Sequence, residues 1–410
     1  MALGTPSWLN LDFTERILRL SEDDSTLQVI DVFVKPATDK GDNYASDMIR
    51  ATVEFTRKQG GKKVNEKKSL IFKFEPLVEG PRRDMIEKSQ IFDTEILMMT
   101  DTLKKMNKML GYENRLSTQI YHVRMERPLC LIMEDLAPLG FRMADRQAGL
   151  DLVHSMLAVR GLAKFHASSV ALCEKEPKHK TIYRKGIFNE DFPEDICMFF
   201  INGCKALAEE VATWTDLENA EVYAEKFKNM ASRVYSIGIK AAERKDDEFN
   251  VINHGDSWVN NMLFKYDENS KPIQHIFVDF QLCVYSSPAI DLHYFLSTST
   301  SQEVYDNHME SLLLEYVEAL AKLMKQLDCK TQPPTLEEIK KYMKDRAVYS
   351  LISSITVLPL VMVDKSEVLQ IDEIQQENGE YNNPAYKGKL YKKLILKRLP
   401  KWAEMGLLDL

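Results

Sequence analysis

Strand-type patterning dominates the first third of this 410-residue chain, and helical spacing dominates the remainder. Residues 13–20 (Phe-Thr-Glu-Arg-Ile-Leu-Arg-Leu) place apolar side chains at helical intervals. Leu27–Val34, Met48–Phe55 and Ser69–Phe74 are rich in β-branched and aromatic residues and predict strands. A turn-rich loop, Ala37–Ser46, joins the first two, and a polar Gly-Gly-Lys-Lys turn near Gly60 leads to the third, so the run reads as an antiparallel meander. Residues 84–109 predict a helix with Ile91, Glu95, Met98 and Met99 near one face. Strands follow at 119–126 and 129–133. Glu134–Gly140 then breaks the pattern and predicts a hinge. Beyond it the spacing predicts helices at about 147–172, 194–212, 217–243, 302–328, 335–363 and 385–405. No internal repeat or low-complexity segment interrupts this order. The expectation is an α+β chain of two lobes: residues 1–135 with a small antiparallel β-sheet plus one helix, and residues 136–410, mainly helical.

The chemistry-bearing residues concentrate between Ile252 and Gln281. There the chain reads His254-Gly-Asp256-Ser-Trp-Val-Asn260-Asn261 and then Ile276-Phe-Val-Asp279-Phe-Gln281. An Asp, an Asn five residues on and a second Asp closing an apolar run form the acidic core of a kinase-type phosphotransferase. One carboxylate orients and deprotonates a hydroxyl, while the amide and the second carboxylate hold Mg2+ against ATP phosphates. Oxygen donors of this kind suit a hard cation. Asp256 read alone is equally an N-cap; Asn261 and Asp279 favour the catalytic reading. Asn260 competes with Asn261, and spacing from Asp256 favours Asn261. His254 and Asp291, the latter at a helix start in Ser287-Pro-Ala-Ile-Asp-Leu292, read as braces for the loop. In the first lobe Lys73 lies within an apolar strand and points to the cleft, where it would bind the α and β phosphates. Glu95 is its expected partner, ahead of Glu87 and Asp93. Asn43, Tyr44, Ala45 and Ser46 follow the single Gly41 of a loop that can turn backbone N–H groups toward phosphates. Met133, Glu134 and Leu136 are placed to meet the adenine. With these residues in that order, the two-lobed α+β pattern becomes that of a protein kinase-like fold, the first lobe nucleotide-binding and the second catalytic and substrate-binding.

Composition narrows the partners. A formal net charge of −8 leaves no basic footprint for nucleic acid. The longest apolar run, Leu351–Val363, contains two serines, a threonine and Pro359, which predicts a buried, broken helix and not a membrane span. Six scattered cysteines without a Cys-x-x-Cys pair, in a chain whose N-terminus lacks a secretory leader, predict free thiols and a cytoplasmic setting. Cys197–Ile201, Trp214, Tyr223, Tyr349 and the Leu351–Val363 run could wall a lipophilic substrate; as helical apolar positions they are equally core.

Taken together, the sequence resembles the ecdysteroid kinase-like family, relatives of choline kinase and aminoglycoside phosphotransferase. The resemblance is carried by His254–Phe264, Val278-Asp-Phe-Gln281 and Ser287–Leu292, with support from Asp42–Ser46, Lys73, Phe92–Glu95, Met133–Leu136 and Leu162–Ala167. It implies ATP- and Mg2+-dependent phosphorylation of a small-molecule alcohol, an ecdysteroid in the type case. It also implies Asp256 as base, Asn261 and Asp279 as metal ligands, and Lys73–Glu95 as the nucleotide ion pair. A detoxifying kinase of plant or xenobiotic hydroxyl compounds, a choline-like kinase and a nucleotide-binding pseudokinase module are the competing expectations. Tyr44 stands where the family often has Phe, and no expected catalytic group is missing.

Overall fold

The computed structural model describes residues 4–39, 41–374 and 381–410. Met1–Leu3, at the head of the N-terminal stretch, and Lys40, within the turn-rich loop, lie outside the described residues. The first lobe runs α1 (Leu11–Glu22), β1 (Gln28–Pro36), β2 (Asp47–Gln59), β3 (Lys62–Phe74), α2 (Pro81–Ser89), α3 (Ile91–Leu97), α4 (Leu103–Leu110), β4 (Ile120–Arg124) and β5 (Cys130–Glu134). Its five strands pair antiparallel in the order β1-β2-β3-β5-β4. Gly60 and Gly61 close the β2–β3 hairpin with φ of +56° and +82°. Two positive φ values make a turn whose twist matches the flanking strands, and glycine adopts them without a Cβ penalty.

Alternation along β2 separates the two faces of this sheet. Ile49, Ala51, Val53 and Phe55 pack with Ile17 and Leu18 of α1 and with Phe72, Phe74, Cys130 and Ile132. Met48 and its cross-strand neighbour Lys73 therefore lie on the opposite face, toward the second lobe. The meander expected from the sequence is present, with β2 and β3 extended to the hairpin. The first lobe carries more than one helix, however. The helix expected over 84–109 is interrupted at Gln90, which takes a left-handed φ of +57°, and widens into a π-turn at Met98–Thr102.

The second lobe continues β6 (Phe141–Met143), α5 (Leu152–Lys175), α6 (His179–Ile182), α7 (Glu194–Ala212), α8 (Ala220–Ala231), α9 (Val234–Ala242), β7 (Val251–Asn253), β8 (Met262–Tyr266), β9 (Pro272–Phe277) and β10 (Val284–Ser286). It ends in α10 (Ala289–Thr298), α11 (Gln302–Asn307), α12 (Met309–Gln326), α13 (Leu336–Asp345), α14 (Ala347–Thr356), α15 (Leu358–Met362), α16 (Ile371–Ile374) and α17 (Lys389–Glu404). Helix α5 is its axis, packed on α12 to one side and on β7 and β9 to the other. Two small sheets, β6-β8-β9 and β10-β7, carry the Asp256 loop and the segment bearing Asp279.

Three long helices expected here are divided. The 217–243 stretch breaks between α8 and α9 at Ser232–Arg233, and the 302–328 stretch breaks between α11 and α12 at His308. The 335–363 stretch becomes α13, α14 and α15, with Pro359 in the first turn of α15, where its missing N–H costs no helical bond. No helix among the described residues is long and apolar enough to cross a membrane. The six cysteines are unpaired.

Candidate active site

Strand β7 pairs with β10 and delivers the chain into His254-Gly255-Asp256. The buried Asp291, in the first turn of α10, holds this loop. Its carboxylate accepts the backbone N–H of His254 at 2.6 Å, that of Gly255 at 2.9 Å, and His166 Nε2 at 3.0 Å. Burial alone would raise the Asp291 pKa, but these donors outweigh it and hold the carboxyl below its ordinary value. His254 ties the loop to the second acidic segment: Nε2 donates to the Val278 carbonyl at 3.0 Å, and Nδ1 accepts the Asp256 N–H at 3.3 Å. Burial lowers its pKa, in keeping with a neutral ring that donates at one nitrogen and accepts at the other. Both residues thus hydrogen-bond the backbone of the loop that carries Asp256.

Gly255 has φ of +81°, and a Cβ there would lie 1.8 Å from the Leu282 carbonyl oxygen. Since that neighbour is backbone, Gly255→Ala should destabilise the protein by at least about 2 kcal/mol. Thermal melting of the variant would show a Tm lower by several degrees; an unchanged Tm would mean that the loop is looser than this packing implies.

Asp256 is fixed by two donors. Asn261 Nδ2 reaches its carboxylate at 2.8 Å and its backbone carbonyl at 2.9 Å, and the Tyr294 hydroxyl donates to the other carboxylate oxygen at 2.5 Å. Burial pushes the Asp256 pKa up to about 7, and the Asp279 charge adds to it; the Tyr294 and Asn261 hydrogen bonds oppose them. Asp279 follows β9 with a left-handed φ of +65°, an uncommon conformation for a residue with a Cβ.

Lys73 bridges the lobes. Its Nζ lies 2.7 Å from Glu95 Oε2 and 2.9 Å from Asp279 Oδ1, and both Lys73 and Glu95 are fully enclosed. Burial pulls the Lys73 pKa down, but the Asp279 and Glu95 carboxylates more than offset this and keep the ammonium charged. Burial pushes Glu95 up to about 7 against the attraction of Lys73. Glu95 is thus the partner, in preference to Glu87 and Asp93. Lys73, Glu95, Asp279 and the Asp256–Asn261 loop come from four separate stretches of sequence and form one connected group.

The fit to a hard cation can be judged from the donors. Asn261 turns its amide nitrogen to Asp256, which leaves its amide oxygen facing away, and two carboxylates of like charge share the site with one ammonium. An amide oxygen and carboxylate oxygens in a partly desolvated, net-negative site are suitable Mg2+ ligands.

The loop before β2 is held from both lobes. Asn43 Nδ2 donates to the Ser46 carbonyl at 2.8 Å and to its hydroxyl at 2.7 Å. Arg82 donates to the carbonyls of Tyr44 and Ser46, each at 3.0 Å. Asn260 Nδ2 donates to the Gly41 carbonyl at 3.1 Å, so Asn260 faces this loop and Asn261 faces Asp256.

Asp256, Asn261 and Asp279 open into a cavity of about 640 Å³, which Asn43, Tyr44 and Ala45 also line. Its far wall is largely apolar and aromatic, with Phe192, Met198, Phe199 and Phe200 from in and before α7, and Val357 and Leu360 around the start of α15. Ser46 is buried behind the loop. Of the wall candidates in the sequence, part of Cys197–Ile201 and part of Leu351–Val363 reach the cavity, whereas Trp214, Tyr223 and Tyr349 are buried elsewhere or face away. Met133, Glu134 and Leu136 are also outside this lining. The Glu134 N–H and C=O are engaged by the Gln119 carbonyl and the Thr118 hydroxyl, and the Leu136 side chain packs with Phe141 and Ile276.

A family model described as the ecdysteroid kinase-like family matches residues 40–329, more than half of the chain. The chain belongs to the ecdysteroid kinase-like family. No curated protein matches the sequence. Among solved structures, it is similar to a choline kinase from Cryptosporidium parvum Iowa II, at 12% identity and a TM-score of 0.47 over 96% of this chain and 97% of that one. It is also similar to a spectinomycin phosphotransferase in complex with ADP and spectinomycin, at 10% identity and a TM-score of 0.42 over 97% and 99% of the two chains. Membership of the family makes the chain a small-molecule phosphotransferase with an alcohol group as acceptor.

For this ecdysteroid kinase-like chain, three contributions to the site were not anticipated from sequence: Tyr294 on Asp256, Asn260 on Gly41, and Trp258, whose ring lies 6.3 Å from that of Tyr44. Tyr294 had a usable signal, because it follows Asp291 by three residues on a predicted helix and so shares its face. The other two contacts join segments more than 200 residues apart and leave no local trace.

Proposed function

We propose that the chain transfers the γ-phosphoryl group of ATP, with Mg2+, to a hydroxyl of a lipophilic alcohol such as a steroid. The observation that carries this reading is the contact of Lys73 with both Glu95 and Asp279 beside the Asp256–Asn261 pair. Asp256 receives the hydroxyl hydrogen bond and accepts its proton, and Tyr294 and Asn261 fix the carboxylate's direction. Lys73 binds the α and β phosphates, with Glu95 setting its position. Asn261 and Asp279 hold Mg2+, which supplies charge neutralisation at the phosphates. Asn43, Tyr44, Ala45 and Ser46 form the loop over the phosphates, and Met133, Glu134 and Leu136 border the adenine. His254 and Asp291 position the loop that carries Asp256. Residues 1–135 serve as the nucleotide lobe and 136–410 as the catalytic and substrate lobe.

The apolar wall facing Asp256 supports a lipophilic acceptor, and the cavity volume is in the range that small-molecule sites occupy. A second reading also has specific support. Phe192, Phe199 and Phe200 lie in the same wall as Glu194, and aromatic faces with an acid suit a quaternary ammonium alcohol. The test is ADP formation by the purified chain with Mg-ATP and a panel of steroids, plant phenolics and choline. Turnover is expected to favour the steroid or phenolic members and to cease when Mg2+ is chelated. Preference for choline selects the second reading, and failure with every alcohol overturns both.

A further inference from the structure

Strand β1 is an edge of the first-lobe sheet, and among the described residues its outer side is unpaired along most of its length. It is also unusually apolar for an exposed edge. Ile30 and Phe33 are each 54% exposed and Val34 is 37% exposed. Natural sheets protect such edges with proline, inward-pointing charge or covering elements, because an open apolar edge is a template for another strand.

The phase of the ladder identifies which backbone groups are free. Ala37 N–H donates to the Met48 carbonyl, which makes this pair hydrogen-bonded. Hydrogen-bonded and non-bonded pairs alternate along an antiparallel ladder. With Lys35 opposite Arg50, Phe33 opposite Thr52 and Asp31 opposite Glu54, the backbone groups of Asp31, Phe33 and Lys35 turn inward to β2. Those of Val32 and Val34 turn outward. The Val32 N–H accordingly bonds to no other strand among the described residues and donates to the neighbouring Asp31 carboxylate, at 2.8 Å. The irregularity between Val29 and Asp31 and the absent N–H of Pro36 confine the free, regular edge to residues 31–35.

Those five residues read Asp31-Val32-Phe33-Val34-Lys35. The order is self-complementary about Phe33: an acid at one end, a base at the other, and valines symmetrically between them. We propose that this edge pairs with β1 of a second copy of the chain, antiparallel about a two-fold axis through Phe33. In that register Val32 faces Val34 of the second copy twice, and the outward groups make four backbone hydrogen bonds. Asp31 lies opposite Lys35 of the second copy at both ends. Phe33 meets its own symmetry mate at a non-hydrogen-bonded position, where cross-strand side chains approach most closely. A surface patch that contacts itself is what a two-fold interface requires. The open edge alone would accept many strands; the opposed charges at its ends select this partner.

Sedimentation of the full chain over a range of concentrations tests the inference. The wild type is expected to form a concentration-dependent dimer, and Phe33→Lys to shift it to monomer at every concentration. Asp31→Lys and Lys35→Asp each place like charges at both ends and should each weaken the dimer at least tenfold. Mixing the two single variants restores an opposite pair at both ends, so the mixture should form a heterodimer that neither forms alone. Thermal melting of each variant checks that the exposed substitutions leave the fold intact. A wild type monomeric throughout, a Phe33→Lys dimer, or a mixture that fails to associate overturns the proposal.

Discussion

Asp256→Asn is expected to lower the rate of phosphoryl transfer by about 10² to 10⁴-fold, the range that loss of a positioned general base produces. The substitution keeps the side chain's shape and its contacts with Asn261 and Tyr294 in part, so substrate and nucleotide KM should change much less than kcat. Its effect on stability has the opposite sign. Burial and the Asp279 charge raise the folded-state pKa of Asp256 from 3.8 to about 7. Between those values the folded protein binds more protons than the unfolded one, so this group's contribution falls as pH rises through the window and is at its most unfavourable above pH 7. Without nucleotide or metal, Asp256→Asn should therefore be more stable than the wild type at pH 8, with the gain vanishing toward pH 4. The carboxylate faces the cavity and is partly screened, so about 1–2 kcal/mol is expected from a shift whose full value would approach about 4 kcal/mol. Chemical denaturation at pH 8 and pH 5 measures the difference. A variant of undiminished kcat would remove Asp256 from the chemistry, and one destabilised at pH 8 would show that its two hydrogen bonds outweigh its desolvation.

Both effects arise from one device, a carboxylate placed where burial and the Asp279 charge make ionisation unfavourable despite the hydrogen bonds from Tyr294 and Asn261. Much of this was legible in the chain. Asp256, Asn261 and Asp279 share a short stretch with recognisable spacing, and Lys73 stands out as a charge among Ile71, Phe72 and Phe74. The strands of the first meander were legible for a related reason, since period-two burial is written into β2 residue by residue. Helix boundaries were not. Gln90, Ser232 and His308 are not helix-breaking residue types, so nothing in the local composition marks the interruptions there. The same limit applies to the cavity wall. Cys197–Ile201 and Trp214 look alike as apolar helical positions, yet Phe199 and Phe200 meet the cavity while Trp214 is buried outside its lining, which only tertiary packing decides.

Lys73→Met should have the larger combined effect, because it removes the one cation that two carboxylates share. Glu95 and Asp279 would be left facing each other in an enclosed site, and loss of one partner from a buried ionic group costs about 3–5 kcal/mol. The loss should depend on pH. Glu95 already sits near 7 in the presence of Lys73, and burial without the ammonium raises it further. A carboxyl whose folded pKa lies above its unfolded value of 4.5 makes the folded state favour protons, so stability lost at high pH returns as pH falls through that window. Denaturant titrations at pH 6 and pH 8.5 should therefore show a smaller deficit at pH 6. Glu95→Gln added to Lys73→Met should recover part of the deficit at pH 8.5, since it removes one of the two unpaired charges, and the double-mutant cycle isolates the coupling between the two. Phosphoryl transfer should not recover with it. A preorganised cation at the phosphates is worth about 10² to 10³-fold in rate, and glutamine at position 95 cannot replace it. Equal deficits at the two pH values would show that Glu95 does not take up the proton, and recovery of activity in the double variant would place the phosphate-binding charge on a residue other than Lys73.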